Sequence, residues 1–359
     1  PTRRSSDLVP TDPYFVYQYY LHNAVNVLNG VPVDIDAERA WDITKGTSSV
    51  RIVFIDTGVD AFQPEFTARG NTMIGFDLMS HSGIQEPGEW AGQPYSGNII
   101  DEHGTAVAGI ALAAQNGAGI AGIAPNSSFD AVRIFRNDSS ASDNDIANGI
   151  TWAAAHGDIL NNSWGGCGSG SFVIADAVSR ALSTGRGGKG AVVIFSAGNI
   201  DPATGCSVSS GQSWESRLPG VISVAALART GTRASYSLTG PSITVSAFGG
   251  EVSSGCLGAD LVSTILHYNH ICHDPVVSSA YTTSMGGTSG AAPMVSGVVS
   301  LLLSREPTLT AAQVKSRIMA NADYWGDATQ FGSGKLNAFR TLFNFTVHAG
   351  GPVTIHSPG

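Results

Sequence analysis

Short apolar runs that end in small or polar residues alternate along this chain with segments of helical period, and this alternation strongly constrains the fold. The runs begin at residues 50, 159, 191 and 221, and the helical patterns cover residues 103–114, 142–156, 172–183, 289–305 and 311–322. Strands separated by helices pair in parallel. The sequence therefore predicts an α/β fold with a doubly wound, mostly parallel sheet flanked by helices, a three-layer arrangement.

Polar side chains follow three of these predicted strands. Asp56, Asn162 and Asn199 each lie where an apolar run ends. In doubly wound sheets, ligands bind outside the carboxyl ends of the strands. We therefore expect the functional site at this edge of the sheet.

Composition excludes two classes of partner. The chain has 359 residues, of which 42% are hydrophobic and only 13% charged, and its formal net charge is −9. It lacks the basic footprint of a nucleic-acid-binding protein. Its longest apolar runs are too short, or too often interrupted by Ser and Gly, to span a bilayer. We expect a globular chain with no nucleic-acid or membrane partner.

The four cysteines, Cys167, Cys206, Cys256 and Cys272, form an even set in a chain poor in lysine and rich in glycine. Such a set is typical of disulfides formed in an oxidising compartment. Three pairings are possible. This pattern favours a secreted or extracytoplasmic protein.

Ser289 lies between two glycines and an apolar helical segment, in the sequence GGTSGAAP at residues 286–293. The glycines allow a tight backbone path, and we place Pro293 in the first helical turn, where amides have no intrahelical partner. Those free amides direct positive charge toward the Ser289 hydroxyl. Taken alone, the pattern is equally that of a helix cap.

A hydroxyl nucleophile needs a base and a group that orients the base. His103 opens a predicted helix of small residues, and Asp56 begins an Asp-Thr-Gly triplet. Alone, His103 fits a cap or surface residue, and the triplet fits a turn or half of an aspartic protease site. Because a second such triplet is absent, the paired-carboxylate mechanism is excluded.

Three segments together resemble the subtilisin-like serine proteases, the subtilases. They are residues 54–60 (FIDTGVD), 103–109 (HGTAVAG) and 287–293 (GTSGAAP), in the order Asp, His, Ser. The resemblance extends over residues 12–342. It implies a catalytic domain at residues 12–343, preceded by a non-native or disordered segment (1–11) and followed by a linker or final strand (344–359).

The resemblance implies a role for each matching residue. Ser289 is the nucleophile, His103 the general base and acid, and Asp56 the group that orients His103. Asn199 corresponds to the asparagine whose side-chain amide stabilises the oxyanion. The implied function is a secreted serine endopeptidase with an Asp-His-Ser triad.

The same resemblance predicts where substrate binds. Ser163, Trp164 and Gly165 match the edge segment that pairs with an extended peptide, with Trp164 as a pocket wall, while Ser196, Ala197 and Gly198 line the pocket for the residue before the cleaved bond. Some motifs resemble the kexin-like branch, which cleaves after basic residues. The stretch after Gly165 lacks the carboxylates that this branch uses to bind a basic side chain, so cleavage after dibasic sites is not favoured. The acids nearest to the predicted pocket are Asp201 and Glu215.

Calcium is the cofactor implied by the family. Gln18, Glu65 and Asn116 match the oxygen ligands of one structural calcium site, although Glu65 replaces the usual aspartate. A plain glycine-rich turn is the alternative at residues 115–120. No organic cofactor is expected.

A second cluster, His267, His270, Cys272 and His273, has the residue types of a zinc site. A Cys256–Cys272 disulfide would consume its thiol, and we favour that pairing together with Cys167–Cys206.

We expect a monomer that acts on extended peptides or proteins and whose prosegment is absent from this chain. Two rival functions remain open. One is a peptide cyclase or transpeptidase in which an amine resolves the acyl-enzyme, and the other is a non-catalytic binding module with the same fold.

Overall fold

The structure is a computed structural model that describes residues 9–23, 27–28, 30–69, 75–79, 102–136, 139–201, 205–251, 261–264 and 280–343. The predicted segment 344–359, most of segment 1–11, the cluster at His267, His270 and His273, and the proposed Cys256–Cys272 pair lie outside these residues.

A seven-stranded parallel sheet forms the centre of the molecule and confirms the predicted fold class. Its strands run in the order β11, β10, β9, β8, β3, β5, β4, and each neighbouring pair is parallel. They are β3 (Arg51–Asp56), β4 (Gly75–Asp77), β5 (Ser128–Arg133), β8 (Ile159–Asn162), β9 (Val192–Ser196), β10 (Ile222–Leu227) and β11 (Val245–Phe248). The four predicted strands are the middle of this sheet, whose strands are buried on both faces.

Three two-stranded antiparallel pairs lie beside the sheet. They are β1 (Val27–Leu28) with β2 (Val31–Pro32), β6 (Phe135–Arg136) with β7 (Ser139–Ser140), and β12 (Leu261–Thr264) with β13 (Tyr281–Met285).

Helices cover both faces of the sheet. They are α1 (Ala37–Trp41), α2 (Pro64–Thr67), α3 (His103–Leu112), α4 (Asp143–His156), α5 (Phe172–Gly188), α6 (Thr288–Arg305), α7 (Ala311–Asn321), α8 (Ala328–Phe331) and α9 (Ala338–Phe343). The five predicted helices are α3 to α7. In α5 the regular helix ends earlier than its bounds indicate, because residues 185–187 have non-helical backbone angles.

Alternate residues of β3 point into two separate cores. Ile52 and Phe54 pack in the core that contains α3 and α6, whereas Val53 and Ile55 pack in the core that contains α4 and α5. This alternation is the period of a strand, and it explains why the helices form a layer on each side. No helix in the described ranges is long and apolar enough to cross a membrane.

Helix α6 is almost entirely buried, from Thr288 to Leu303. Our prediction that Pro293 lies in the first turn was wrong, because α6 begins at Thr288 and Pro293 is its sixth residue. Since proline has no N–H, the carbonyl of Ser289 lacks the amide donor that residue 293 would otherwise supply.

Candidate active site

The candidate site lies at the carboxyl ends of three adjacent strands. Asp56 is the last residue of β3, Ser163 follows β8, and Ser196 ends β9. Because β3, β8 and β9 are parallel neighbours, their ends meet at one edge of the sheet. This is the edge at which the sequence predicted a site.

Asp56 and His103 form a direct hydrogen bond. The Oδ1 atom of Asp56 lies 2.7 Å from Nδ1 of His103, and the same oxygen accepts a hydrogen bond from the Thr57 amide at 2.7 Å. Asp56 is fully buried, while the His103 side chain keeps 39% of its surface exposed. The ring therefore has one nitrogen held by a carboxylate and Nε2 left for other partners.

The environment of His103 raises its pKa above the ordinary value of 6.5. Burial of the ring lowers the pKa, but the negative charge of Asp56 and the hydrogen bond from it raise the pKa by more. The site thus favours a protonated imidazole more strongly than water does.

Ser289 is the second residue of α6 and is buried. Gly287 precedes the helix with a φ of 89°, a backbone conformation that favours glycine. The Ser289 hydroxyl donates to the Ser163 carbonyl at 3.0 Å. Within the described residues, the hydroxyl makes no hydrogen bond to the His103 ring.

Asn199 is oriented by Thr288. Its Oδ1 atom accepts hydrogen bonds from the amide and from the hydroxyl of Thr288, each at 2.9 Å. Because Oδ1 accepts both hydrogen bonds, the Nδ2 group faces the turn at Gly287. It lies 3.0 Å from the point where the Cβ atom of a larger residue at position 287 would be. An amide donor is therefore held beside the start of α6.

The two predicted substrate-binding segments, residues 163–166 and 196–198, lie next to each other. The Ser196 hydroxyl donates to the Trp164 carbonyl at 3.4 Å. The Trp164 ring is partly buried and packs edge-on against Phe195 and Phe135, and its role as a pocket wall stays a prediction.

A disulfide links two cysteines that follow the two substrate-binding segments. Cys167, directly after the first segment, is bonded to Cys206. This confirms one of the two predicted pairings.

The three predicted calcium ligands lie in or beside the loop at residues 114–121, and each has an oxygen that accepts a hydrogen bond. Oε1 of Gln18 accepts from the Ala121 amide at 2.7 Å, and Oδ1 of Asn116 accepts from the Ala118 amide at 2.9 Å. Oε1 of Glu65 accepts from the Ile120 amide at 3.1 Å and from the Tyr281 hydroxyl at 2.7 Å.

One oxygen of Glu65 is buried without a hydrogen-bond partner among the described residues, and burial raises the pKa of Glu65 to about 7. Calcium requires six to eight oxygens directed at one point. Three side chains alone supply too few oxygens to meet that requirement, and the described residues contain no cluster of three or more His, Cys, Asp or Glu side chains that could hold a metal. The calcium site stays a prediction.

Sequence reasoning missed several residues that shape the site. Thr288 fixes the Asn199 amide, and Ser213 and Glu215 contact the substrate-binding segments from a distant part of the chain. In the sequence, Glu215 is recognisable only as an acid near the predicted pocket.

Comparison with known proteins agrees with this geometry. The family model described as "Subtilase family" matches residues 47–339. Subtilisin E from Bacillus subtilis (strain 168) is 31% identical over 330 residues, which cover 91% of this chain and 75% of subtilisin E. Thermitase from Thermoactinomyces vulgaris is 31% identical over 336 residues, covering 93% of this chain and 99% of thermitase.

Solved structures have the same fold. A protease from Pseudoalteromonas arctica PAMC 21717 superposes with a TM-score of 0.74 at 29% identity, covering 93% of this chain and 98% of that one. The serine protease of Aeromonas sobria has a TM-score of 0.75 at 20% identity, with 94% and 68% covered.

The chain belongs to the subtilase family. It is a serine endopeptidase, a hydrolase whose substrates are peptides or proteins.

Proposed function

We propose that this chain hydrolyses peptide bonds with Ser289 as nucleophile, His103 as general base and acid, and Asp56 as the group that orients His103. The observation that carries the proposal is the 2.7 Å hydrogen bond between Asp56 and Nδ1 of His103. It fixes the ring so that Nε2 is the nitrogen available to Ser289. The raised pKa of His103 favours the protonated ring that forms during attack.

In the first half-reaction the Ser289 oxygen bonds to the carbonyl carbon of the substrate, and its proton passes to Nε2 of His103. Rotation about the Cα–Cβ bond of Ser289 redirects the hydroxyl from the Ser163 carbonyl to the ring, a rearrangement that substrate binding commonly completes. The C–N bond then breaks, and His103 returns the proton to the leaving amine. Water repeats the sequence on the acyl-enzyme and releases the carboxylic acid.

Asn199 stabilises the oxyanion in this proposal. Thr288 occupies the oxygen of the Asn199 side chain, so that its Nδ2 group is free to donate. Together with the Ser289 amide at the start of α6, it supplies donors where negative charge develops.

The substrate is an extended peptide that lies along residues 163–166. Ser163 and Gly165 supply backbone groups for pairing, while Ser196, Ala197 and Gly198 form the facing side of the pocket. Main-chain pairing of this kind accepts many sequences. The Cys167–Cys206 disulfide supports an extracytoplasmic location, where disulfides persist.

The test is cleavage of a peptide library by wild type, Ser289→Ala and Ser304→Ala. Ser304 lies near the end of α6 and bonds only within that helix, so it is a matched control. We expect Ser289→Ala to lose cleavage and labelling by a fluorophosphonate, and Ser304→Ala to keep both. Equal cleavage by wild type and Ser289→Ala would refute the proposal.

A further inference from the structure

Residues 213–215 lie between the two substrate-binding segments and form hydrogen bonds with both. The Ser213 amide donates to the Ala197 carbonyl at 2.9 Å, and the Trp214 amide donates to the Gly166 carbonyl at 3.0 Å. The Gly166 amide in turn donates to Oε2 of Glu215 at 3.0 Å. This short stretch, the pocket floor, therefore contacts both walls.

Two glycines show where the side chains of the floor lie. A Cβ added at Gly165 would lie 2.8 Å from Oγ of Ser213 and 2.9 Å from Oε2 of Glu215. A Cβ added at Gly198, on the other wall, would lie 3.4 Å from Cβ of Ser213. Both segments thus lie against Ser213, and the Glu215 carboxylate lies against Gly165.

The Glu215 carboxylate is buried without a cation. It is 4% exposed, and in the described part of the chain no Lys, Arg or His nitrogen forms an ion pair with it. Its neighbours are hydrogen-bond donors, and Arg217 is the charged group that acts on it from further away. Burial raises the pKa of Glu215 to about 7. A buried carboxylate that is ionised and unpaired destabilises a fold unless a partner supplies the opposite charge.

We propose that Glu215 determines specificity by selecting an arginine or lysine side chain immediately before the cleaved bond. The proposal rests on the proposed function, since it assigns the substrate class of the same site. The aliphatic part of such a side chain would pass between Gly165 and Gly198, and its cationic head would meet the carboxylate at the floor.

This carboxylate does not come from the edge segment at residues 163–166. The stretch after Gly165 lacks acids, but Glu215 reaches the Gly166 amide from 49 residues further along the chain. The pocket therefore has a carboxyl group that its own edge segment does not contain, and a bound cation would favour its ionised form. Charge-assisted hydrogen bonds of this kind are about twice as strong as neutral ones.

The test uses peptides that differ only in the residue before the cleaved bond, which is arginine or its neutral isostere citrulline. We expect wild type to prefer arginine by about 10- to 100-fold in kcat/KM, the range of one charged hydrogen bond. Glu215→Gln keeps an acceptor for the Gly166 amide but not the charge, and should bring the ratio close to one. Asp201→Asn, which removes a charge from the loop paired with Cys206, should leave the ratio unchanged.

A binding measurement separates this proposal from the catalytic one. Ser289→Ala should bind the arginine peptide more tightly than the citrulline peptide by calorimetry, and the double variant Ser289→Ala/Glu215→Gln should bind both alike. An arginine preference that survives Glu215→Gln, or cleavage without any such preference, would overturn the role of Glu215 while leaving hydrolysis intact. Absence of all cleavage with the binding difference retained would count against the catalytic proposal alone.

Discussion

Ser163 and Ser289 exchange two hydrogen bonds across the candidate site. The Ser163 hydroxyl donates to the Ser289 carbonyl at 2.9 Å, and the Ser289 hydroxyl donates to the Ser163 carbonyl at 3.0 Å. The first bond supplies a donor to the carbonyl that has lost its i+4 amide donor to Pro293. A substrate-binding segment is thereby tied to the backbone of the proposed nucleophile.

This relationship predicts coupling between Ser163 and Pro293. Ser163→Ala should destabilise the fold by about 1–3 kcal/mol, because the buried Ser289 carbonyl loses its donor. In a Pro293→Ala background the new amide can bond that carbonyl, so the cost of Ser163→Ala should be smaller. Urea unfolding of the four chains, all carrying His103→Ala to prevent autolysis, gives the coupling free energy. Equal costs in both backgrounds would show that Ser163 does not serve this carbonyl.

The pKa of His103 predicts the acid side of the pH profile. The proposed base must be neutral to accept a proton, and its pKa is raised above 6.5 mainly by Asp56 against the opposing effect of burial. Activity should therefore fall as pH decreases through a midpoint above 6.5. Asp56→Asn removes the charge, so the midpoint should move to lower pH, while the plateau of kcat falls by about 10⁴-fold, as in other triads. A midpoint that does not move in Asp56→Asn would contradict the assignment.

The sequence predicted the central sheet well because its strands are apolar runs that end in recognisable polar residues. It placed Asp56, Asn162 and Asn199 at one edge for the same reason, and in the structure these residues end β3, end β8 and follow β9. Contacts between distant segments could not be predicted in the same way. Trp164 is predicted to be a pocket wall, but its packing against Phe195 depends on the tertiary structure, which the local pattern does not encode.

Glu215 illustrates the same limit. Its importance comes from a hydrogen bond to a glycine amide 49 residues away, and a glycine carries no side-chain signal of that partner. Similarly, the side-chain oxygens of Gln18 and Asn116 are of the type that binds calcium, but the sequence does not reveal that each accepts a hydrogen bond from a loop amide.

The Cys167–Cys206 disulfide should stabilise the pocket region. It closes a loop with a sequence separation of 39 residues, and cross-links of this length stabilise a fold by about 2–4 kcal/mol. Cys167→Ala/Cys206→Ala should lower the free energy of unfolding by that amount in a Ser289→Ala background. Mass mapping of a non-reduced digest should recover the linked peptides from the parent protein. Free thiols at these two positions would refute the pairing.

Chelation tests the calcium prediction. Because Glu65 has one buried oxygen without a hydrogen-bond partner in the described part of the chain, a calcium ion bound there would stabilise the fold, and we expect EDTA to lower Tm. Tyr281→Phe removes the hydroxyl that donates to Glu65 and should destabilise the fold by about 1–3 kcal/mol. Added calcium should restore Tm, and a Tm that EDTA leaves unchanged would contradict the calcium prediction.

Glu215 should also make the stability of the fold depend on pH. Burial raises its pKa from 4.5 to about 7, so the folded state binds a proton that the unfolded state has already lost between these values. The stabilisation is complete below pH 4.5 and is lost as pH rises through 7, a change of about 3 kcal/mol. Glu215→Gln cannot ionise, and its stability relative to the parent should therefore improve by about this amount between pH 4 and pH 8. Urea unfolding at both pH values in a His103→Ala background measures the difference, with Asp201→Asn as control. If Glu215→Gln changes the free energy of unfolding by the same amount at both pH values, the Glu215 carboxyl ionises normally and lies in contact with water.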